Sequence, residues 1–236
     1  MGDVAGGAPA RPPRLIVVSG LKAEARIAAG PRTLTFCSGG FAARLEAEVA
    51  AALKDGAAGV LSFGVAGGLT QGLAPGAIVL GNRIVAEGES FACDPGWLRA
   101  LANILPTAAR GAIFGSDAPV AELTKKAELA TRTGALAVDM ESHFAARWAA
   151  RQGAPFAAIR AIADPVGRLL PPAALAGLRN DGTADVLAVL RALAAAPWQL
   201  PSLTQTALDA KRAFDGLKAC RRAAGDDFGL FGPATP

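Results

Sequence analysis

Short apolar runs that alternate with stretches of helical period constrain this chain more than any other feature. Seven such runs stand at 15–19, 33–37, 59–63, 77–85, 111–115, 135–139 and 156–162. None alternates polar with apolar residues, so none reads as a strand wet on one face. Strands covered on both sides, with helices between them, predict an α/β fold. The intervening helical patterns are one-sided. In 41–54, Leu45, Val49 and Leu53 recur every four positions while Arg44, Glu46, Glu48 and Lys54 mostly face away. The stretches 121–133 and 141–152 repeat the device, the second with Phe144 and Trp148.

The stretch 56–82 holds 27 residues without a charge, long enough to cross a bilayer as a helix. Its eight glycines and Pro75 speak against that, and its apolar residues predict two buried strands on either side of a glycine loop. A chain of 236 residues buries about 70% of its surface on folding and needs no covalent staple. Cys37, Cys93 and Cys220 are odd in number and far apart, and His143 is the only histidine. Neither a disulfide framework nor a zinc site is therefore expected, and a reducing, cytoplasmic setting fits. The formal net charge of +4 comes with no dense basic run, which argues against nucleic acid as a partner. Residues 1–13 lack an apolar stretch and read as a disordered leader.

Beyond residue 165 the chain becomes proline-marked and strand-free, with helical patterns at 183–196 and 202–223. In the latter, Leu203, Ala207, Ala210, Phe214 and Leu217 form an apolar stripe, and cations outnumber acids. Two readings stay open: a helix docked on the body or a partner subunit, or a basic amphipathic helix in peripheral contact with the inner face of a membrane. The expected organisation is a leader at 1–13, a core at 14–165 and a helical extension at 166–236.

Ligands of open α/β sheets bind beyond the carboxyl ends of the strands, so the residues that follow each run matter most. After the first come Gly20 and Glu24, and after the second Ser38, Gly39 and Gly40. After the third come Gly64, Gly67 and Gly68, after the sixth Asp139 and Glu141, and after the seventh Asp164. The glycines do not spell GxGxxG, so a nicotinamide dinucleotide is not expected. Taken singly, Glu141 is equally an acid favoured by a helix N-terminus, Asp164 a turn residue before Pro165, and Glu24 a solvated charge. His143 lies off the Glu141 face and reads as a surface or core residue. Ser38, Gly39 and Gly40, with Arg44 behind them, offer free amides and a guanidinium to an oxyanion, or form an ordinary tight turn.

Taken together, three segments point to a family: SFGVAGGL at 62–69, AVDMES at 137–142 and IRAIAD at 159–164. In that order they resemble the nucleoside phosphorylase and nucleosidase superfamily, over about residues 14–165. The wording is most similar to the hopanoid-associated phosphorylases, through GLKAEARI at 20–27, VDMESH at 138–143 and APWQLP at 196–201. The resemblance implies a single-domain, three-layer α/β fold with a central, mostly parallel mixed sheet flanked by helices. It implies cleavage of the N-glycosidic bond of adenosylhopane, a lipid-linked nucleoside, with release of adenine.

By the same resemblance Asp164 protonates the departing purine, Glu24 orients water, and Glu141 grips the ribose hydroxyls with Met140 near the sugar. Gly67, Ala118, Pro119 and Val120 would border the substrate, Pro119 standing where an aromatic side chain often stacks. Ala163 stands where the nucleosidases often carry a serine that supports the aspartate. No metal or cofactor is implied, although inorganic phosphate is a candidate co-substrate held by Gly39, Gly40 and Arg44. Ser62 and Val65 occupy positions where hexameric phosphorylases present an arginine and a serine, which favours water as the nucleophile. A homodimer is the family expectation. Two alternatives remain: a nucleosidase for a soluble nucleoside such as methylthioadenosine, and a non-catalytic nucleoside-binding protein.

Overall fold

The computed structural model describes residues 14–38, 42–54, 56–168, 171–176, 183 and 185–231; the expected leader at 1–13 lies outside them. The chain runs β1 (Leu15–Ser19), α1 (Lys22–Ala28), β2 (Thr33–Cys37), α2 (Ala42–Lys54), β3 (Gly59–Gly68), β4 (Ile78–Ala86) and β5 (Glu89–Ala92). It continues through α3 (Pro95–Ile104), β6 (Ala109–Gly115), α4 (Leu123–Thr133), β7 (Ala135–Asp139), α5 (Ser142–Arg151) and β8 (Phe156–Asp164). The extension holds α6 (Pro172–Ala176), α7 (Val186–Ala195), a 3-10 turn (Pro197–Gln199) and α8 (Leu200–Ala224).

The strands form one 8-stranded sheet in the order β2-β1-β3-β7-β6-β4-β5, with β8 pairing both β3 and β4. Because β3 also pairs β7, the strands β3, β8, β4, β6 and β7 close a circuit. Pairing is parallel except at β3–β7, β4–β5 and β4–β8, so the sheet is mixed.

Unbroken apolar runs are needed where a strand is covered on both faces, as β1 is along its whole length. Along β1, Leu15 and Val17 pack with Leu61 and Phe63 under α1, α3 and α8, supplied by Ala28, Trp97, Leu101, Ala213 and Leu217. Ile16 and Val18 face the other way and pack with Val60, with Leu45 and Val49 of α2, and with Ala145 and Trp148 of α5. The fully buried Leu, Ile, Val and Phe side chains among these each stabilise the fold by roughly 1.5–3 kcal/mol. Leu129 and Ala130 of α4 lie over a third, smaller cluster of Leu69, Ala112, Phe114, Ala135 and Val138.

Three strands match their predicted runs, and four departures have physical causes. The glycine loop expected after residue 63 is strand as far as Gly68, since glycine fits a strand wherever another group approaches its backbone closely. The edge strand β5, sequence ESFA, has no apolar run to reveal it. The helix α3 opens with Pro95 in its first turn, and the Asp94 carboxylate accepts the Trp97 amide at 2.7 Å, a proline-and-cap start that the apolar pattern alone did not display. In α8 the buried residues are Asp209, Ala213, Leu217, Cys220 and Ala224; of the predicted stripe Leu217 is buried and Phe214 packs on the core, whereas Ala207 is exposed. The inward stripe is therefore partly turned from the predicted one, and it packs on β8 and β3 while Lys211, Arg212, Lys218 and Arg222 face out. Among the described residues no helix is long and apolar enough to cross a membrane.

Candidate active site

The carboxyl-terminal half of β3 is the floor on which the site is built. Gly67 stands in register with Asp164 on the β8 side and with Val138 on the β7 side. A Cβ at position 67 would lie 3.0 Å from Asp164 Oδ1 and 3.3 Å from Val138 Cγ1. The absence of a side chain there is what lets the Asp164 carboxyl rest on the strand.

Three residues earlier on the same strand, a Cβ at Gly64 would lie 2.8 Å from the Glu24 carboxyl. Glu24 enters from α1, only 2% exposed. Its Oε1 accepts the Val65 amide and its Oε2 the Leu21 amide, both at 2.8 Å. The second bond is the glutamate half of a helix-capping interaction, which explains why α1 starts where it does. The solvated-charge reading of Glu24 is thereby overturned. Burial raises its pKa, opposed by the Val65 and Leu21 amides and the Arg160 charge.

Glu141 follows β7 at the threshold of α5, half-buried, with its carboxyl over the bare Cα of Gly20. Burial, then the negative charges of Asp139 and Glu24, push its pKa up to about 8, against the pull of Arg160. Glu141 is thereby easier to protonate than an ordinary glutamate, and in its acid form it can donate as well as accept. Asp164 is 9% exposed, and its Oδ2 accepts from Lys126 Nζ at 2.5 Å. Burial raises its pKa and Lys126 works against that rise.

The buried cation Arg160 ties the acidic groups to the sheet. It is 1% exposed and pairs with Asp139 through Nε, while its Nη2 donates to Ser62 Oγ at 2.6 Å and to Ser142 Oγ at 3.0 Å. Asp139 in turn accepts the Ser142 amide at 3.0 Å, satisfying a free amide at the start of α5. Ser62, which the resemblance put at a phosphate-facing position, is fully buried in this network, its Oγ bonded to Arg160.

The remaining expected residues fall as follows. Met140 is half-buried between Asp139 and Glu141. Ala118 and Pro119 are exposed on the loop after β6, and Val120 packs toward Leu69 and Val138. Ser116 and Val120 also line a groove of about 850 Å³ beside α4, which Glu24, Glu141 and Asp164 do not line. The Arg44 side chain, Gly39 and Gly40, expected to hold phosphate, lie outside the described residues. His143 is 3% exposed, and its Nε2 lies 3.0 Å from Asp117 Oδ1, as a core residue rather than a base. Among the described residues no group of three or more His, Cys, Asp or Glu is placed to hold a metal ion.

Sequence reasoning missed Arg160 and Lys126. Both carried a signal. Arg160 is the lone charge inside the apolar run of β8, and Lys126 shares the inward face of α4 with Leu129 and Ala130, at helical spacings of three and four.

The arrangement pairs a sheltered acid at one strand end with two further carboxyls and a buried guanidinium at the next. Such a site can protonate a leaving group and hold a polar, hydroxyl-bearing substrate.

Solved structures with this fold include a mutant of the Helicobacter pylori methylthioadenosine nucleosidase with 5′-methylthioadenosine in its active site, at TM-score 0.60 and 14% identity over 88% of this chain and 97% of that one. The Neisseria meningitidis 5′-methylthioadenosine/S-adenosylhomocysteine nucleosidase with methylthio-immucillin-A gives 0.57 and 22% over 87% and 99%. A futalosine hydrolase mutant from Helicobacter pylori gives 0.56 and 14% over 64% and 89%. No curated protein matches the chain. The profile of the Phosphorylase superfamily matches residues 29–196, most of the chain and every strand from β2 to β8. The chain belongs to the Phosphorylase superfamily and is an enzyme of its nucleosidase and phosphorylase kind.

Proposed function

We propose that this enzyme cleaves the N-ribosidic bond of a purine nucleoside whose 5′ side carries a large apolar group, adenosylhopane being the substrate that the family wording favours. The observation that carries the reading is the meeting of Glu24, Asp164 and the strand preceding Glu141 along one stretch of β3, Gly64 to Gly67. The named activities of the structural neighbours, methylthioadenosine and futalosine cleavage, support the general reaction.

Breaking the bond sends its electron pair to the base and leaves the sugar electron-poor, so the enzyme gains by binding both charges better than it binds the ground state. Asp164 gives its proton to a purine ring nitrogen as the bond lengthens. Glu141 holds the ribose hydroxyls, and Glu24, fixed by two amides, accepts a proton from the attacking water. Water is favoured over phosphate because Ser62 is occupied by Arg160 and the Val65 amide by Glu24.

Support for an apolar substrate comes from the extension. Leu187, Leu190 and Leu200 are about half exposed and Trp198 is 77% exposed, apolar side chains left uncovered on α7, the turn after it and the first residue of α8.

Purified enzyme incubated with adenosylhopane or methylthioadenosine, each with and without phosphate, tests the proposal by free adenine. Adenine from adenosylhopane without phosphate is expected. Release from methylthioadenosine alone would transfer the reading to a soluble nucleoside, and no release from either would end it.

A further inference from the structure

Lys126 is the one lysine that is fully buried among the described residues, and its ammonium is used on a single neighbour. From α4, 38 residues before its partner, Nζ donates to Asp164 Oδ2 at 2.5 Å and approaches the Asp164 carbonyl at 3.4 Å. The preceding residue, Lys125, is by contrast exposed and pairs with Glu122 one turn back at 2.8 Å. Burying an ammonium is costly unless it is paired and hydrogen-bonded, so a lysine in this place is not explained by packing alone. Residue 163, beside the aspartate, is alanine and offers no hydroxyl to hold the carboxyl.

We infer that Lys126 is a positioning residue for the reaction proposed above, holding Asp164 by one oxygen and stabilising the carboxylate that remains once the proton has gone to the purine. The inference rests on that reading of the site. In the acid form that transfers its proton, the Asp164 carboxyl is neutral and its hydrogen bond to the ammonium is the weaker of the two. As the carbon–nitrogen bond breaks, the bonding pair goes to the base and the Asp164 proton follows to a ring nitrogen. The carboxylate left behind faces the ammonium at hydrogen-bond distance, a charge-assisted bond roughly twice as strong as a neutral one. Lys126 therefore stabilises the later state more than the earlier, which is the condition for accelerating a step. Water attacks the sugar carbon, its proton passes to Glu24, and exchange with solvent resets both carboxyl groups. Burial raises the Asp164 pKa and the cation works against that rise, the two influences opposing one another at the one carboxyl.

The test uses two leaving groups. Lys126→Met keeps the volume and removes the charge; Lys126→Gln keeps a donor without the charge. In both, loss of the cation leaves burial free to raise the Asp164 pKa further, which favours the neutral form of the acid. Each variant is expected to lose roughly 100-fold in kcat for adenine release from the best nucleoside substrate, with KM within about threefold. For p-nitrophenyl β-D-ribofuranoside, whose nitrophenolate departs without a proton, the loss should stay within about threefold. Equal losses for both leaving groups would show a merely structural lysine and overturn the inference, as would a wild-type rate in Lys126→Gln. Asp164→Asn is run alongside. If it loses adenine release while Lys126→Met keeps it, the inference falls and the proposed function stands. If wild-type enzyme releases no adenine from any nucleoside offered, the proposed function falls and the inference with it.

Discussion

Glu24 Oε1 accepts the amide of Val65 at 2.8 Å, a bond that joins the first helix to the middle of the sheet across 41 positions of chain. The carboxyl is thereby fixed over Gly64, where there is no room for a methyl group. Gly64→Ala would place a carbon 2.8 Å from that carboxyl and displace it. We expect kcat to fall by at least about tenfold with KM little changed, at a stability cost of about 1–3 kcal/mol. Steady-state kinetics and calorimetry check this, and an unchanged kcat would remove Glu24 from the mechanism.

Gly20 makes the complementary case. A side chain there meets the Glu141 carboxyl, the group assigned to the ribose hydroxyls. Gly20→Ala and Glu141→Ala should both lower kcat/KM, and methylthioadenosine and its 2′-deoxy analogue should become nearly equivalent, because the hydroxyl contact is already lost. A wild-type preference retained in both variants would place the ribose elsewhere.

Stability should fall as pH rises through neutrality. The Glu141 carboxyl has an ordinary pKa near 4.5 and is held at about 8 in the folded protein. Between those values the unfolded chain has given up a proton that the folded chain keeps, so alkali favours unfolding. The contribution is fully present below pH 4.5 and lost by about pH 8. The upward shifts of Glu24 and Asp164 act in the same direction. Tm should decline across this range, and Glu141→Gln should flatten the decline. A variant curve parallel to the wild type would contradict the assignment.

Arg160 and Asp139 form a pair buried to 1% on each side chain. Arg160→Met strands the Asp139 charge and should cost about 3–5 kcal/mol, whereas Arg160→Met with Asp139→Leu should recover part of the loss. Denaturant titration of the three variants measures the coupling.

The role proposed for the apolar row on the extension separates the two substrates. Trp198→Ser with Leu190→Ser should lower turnover of adenosylhopane at least about tenfold while leaving methylthioadenosine within about twofold. Parallel losses would mean that the row does not serve the substrate's tail.

Layering and covered strands were legible in the amino-acid order, because a strand buried on both faces has to be apolar throughout, and β1, β2 and β7 coincide with their runs. So were the acids at strand ends, since the residues after a run are where a sheet meets its ligand. Glycine at 64 and 67 was readable as a break but not as a strand, for composition does not say which carboxyl leans on the bare backbone. That information belongs to contacts between distant elements: Gly64 with Glu24, Gly67 with Asp164, Lys126 with Asp164 and Arg160 with Asp139. Local order determined the α/β class and nominated the carboxyl groups. Only the tertiary structure decided which charges are buried together, because pairing in a sheltered interior depends on distance through space, and no short-range pattern records it.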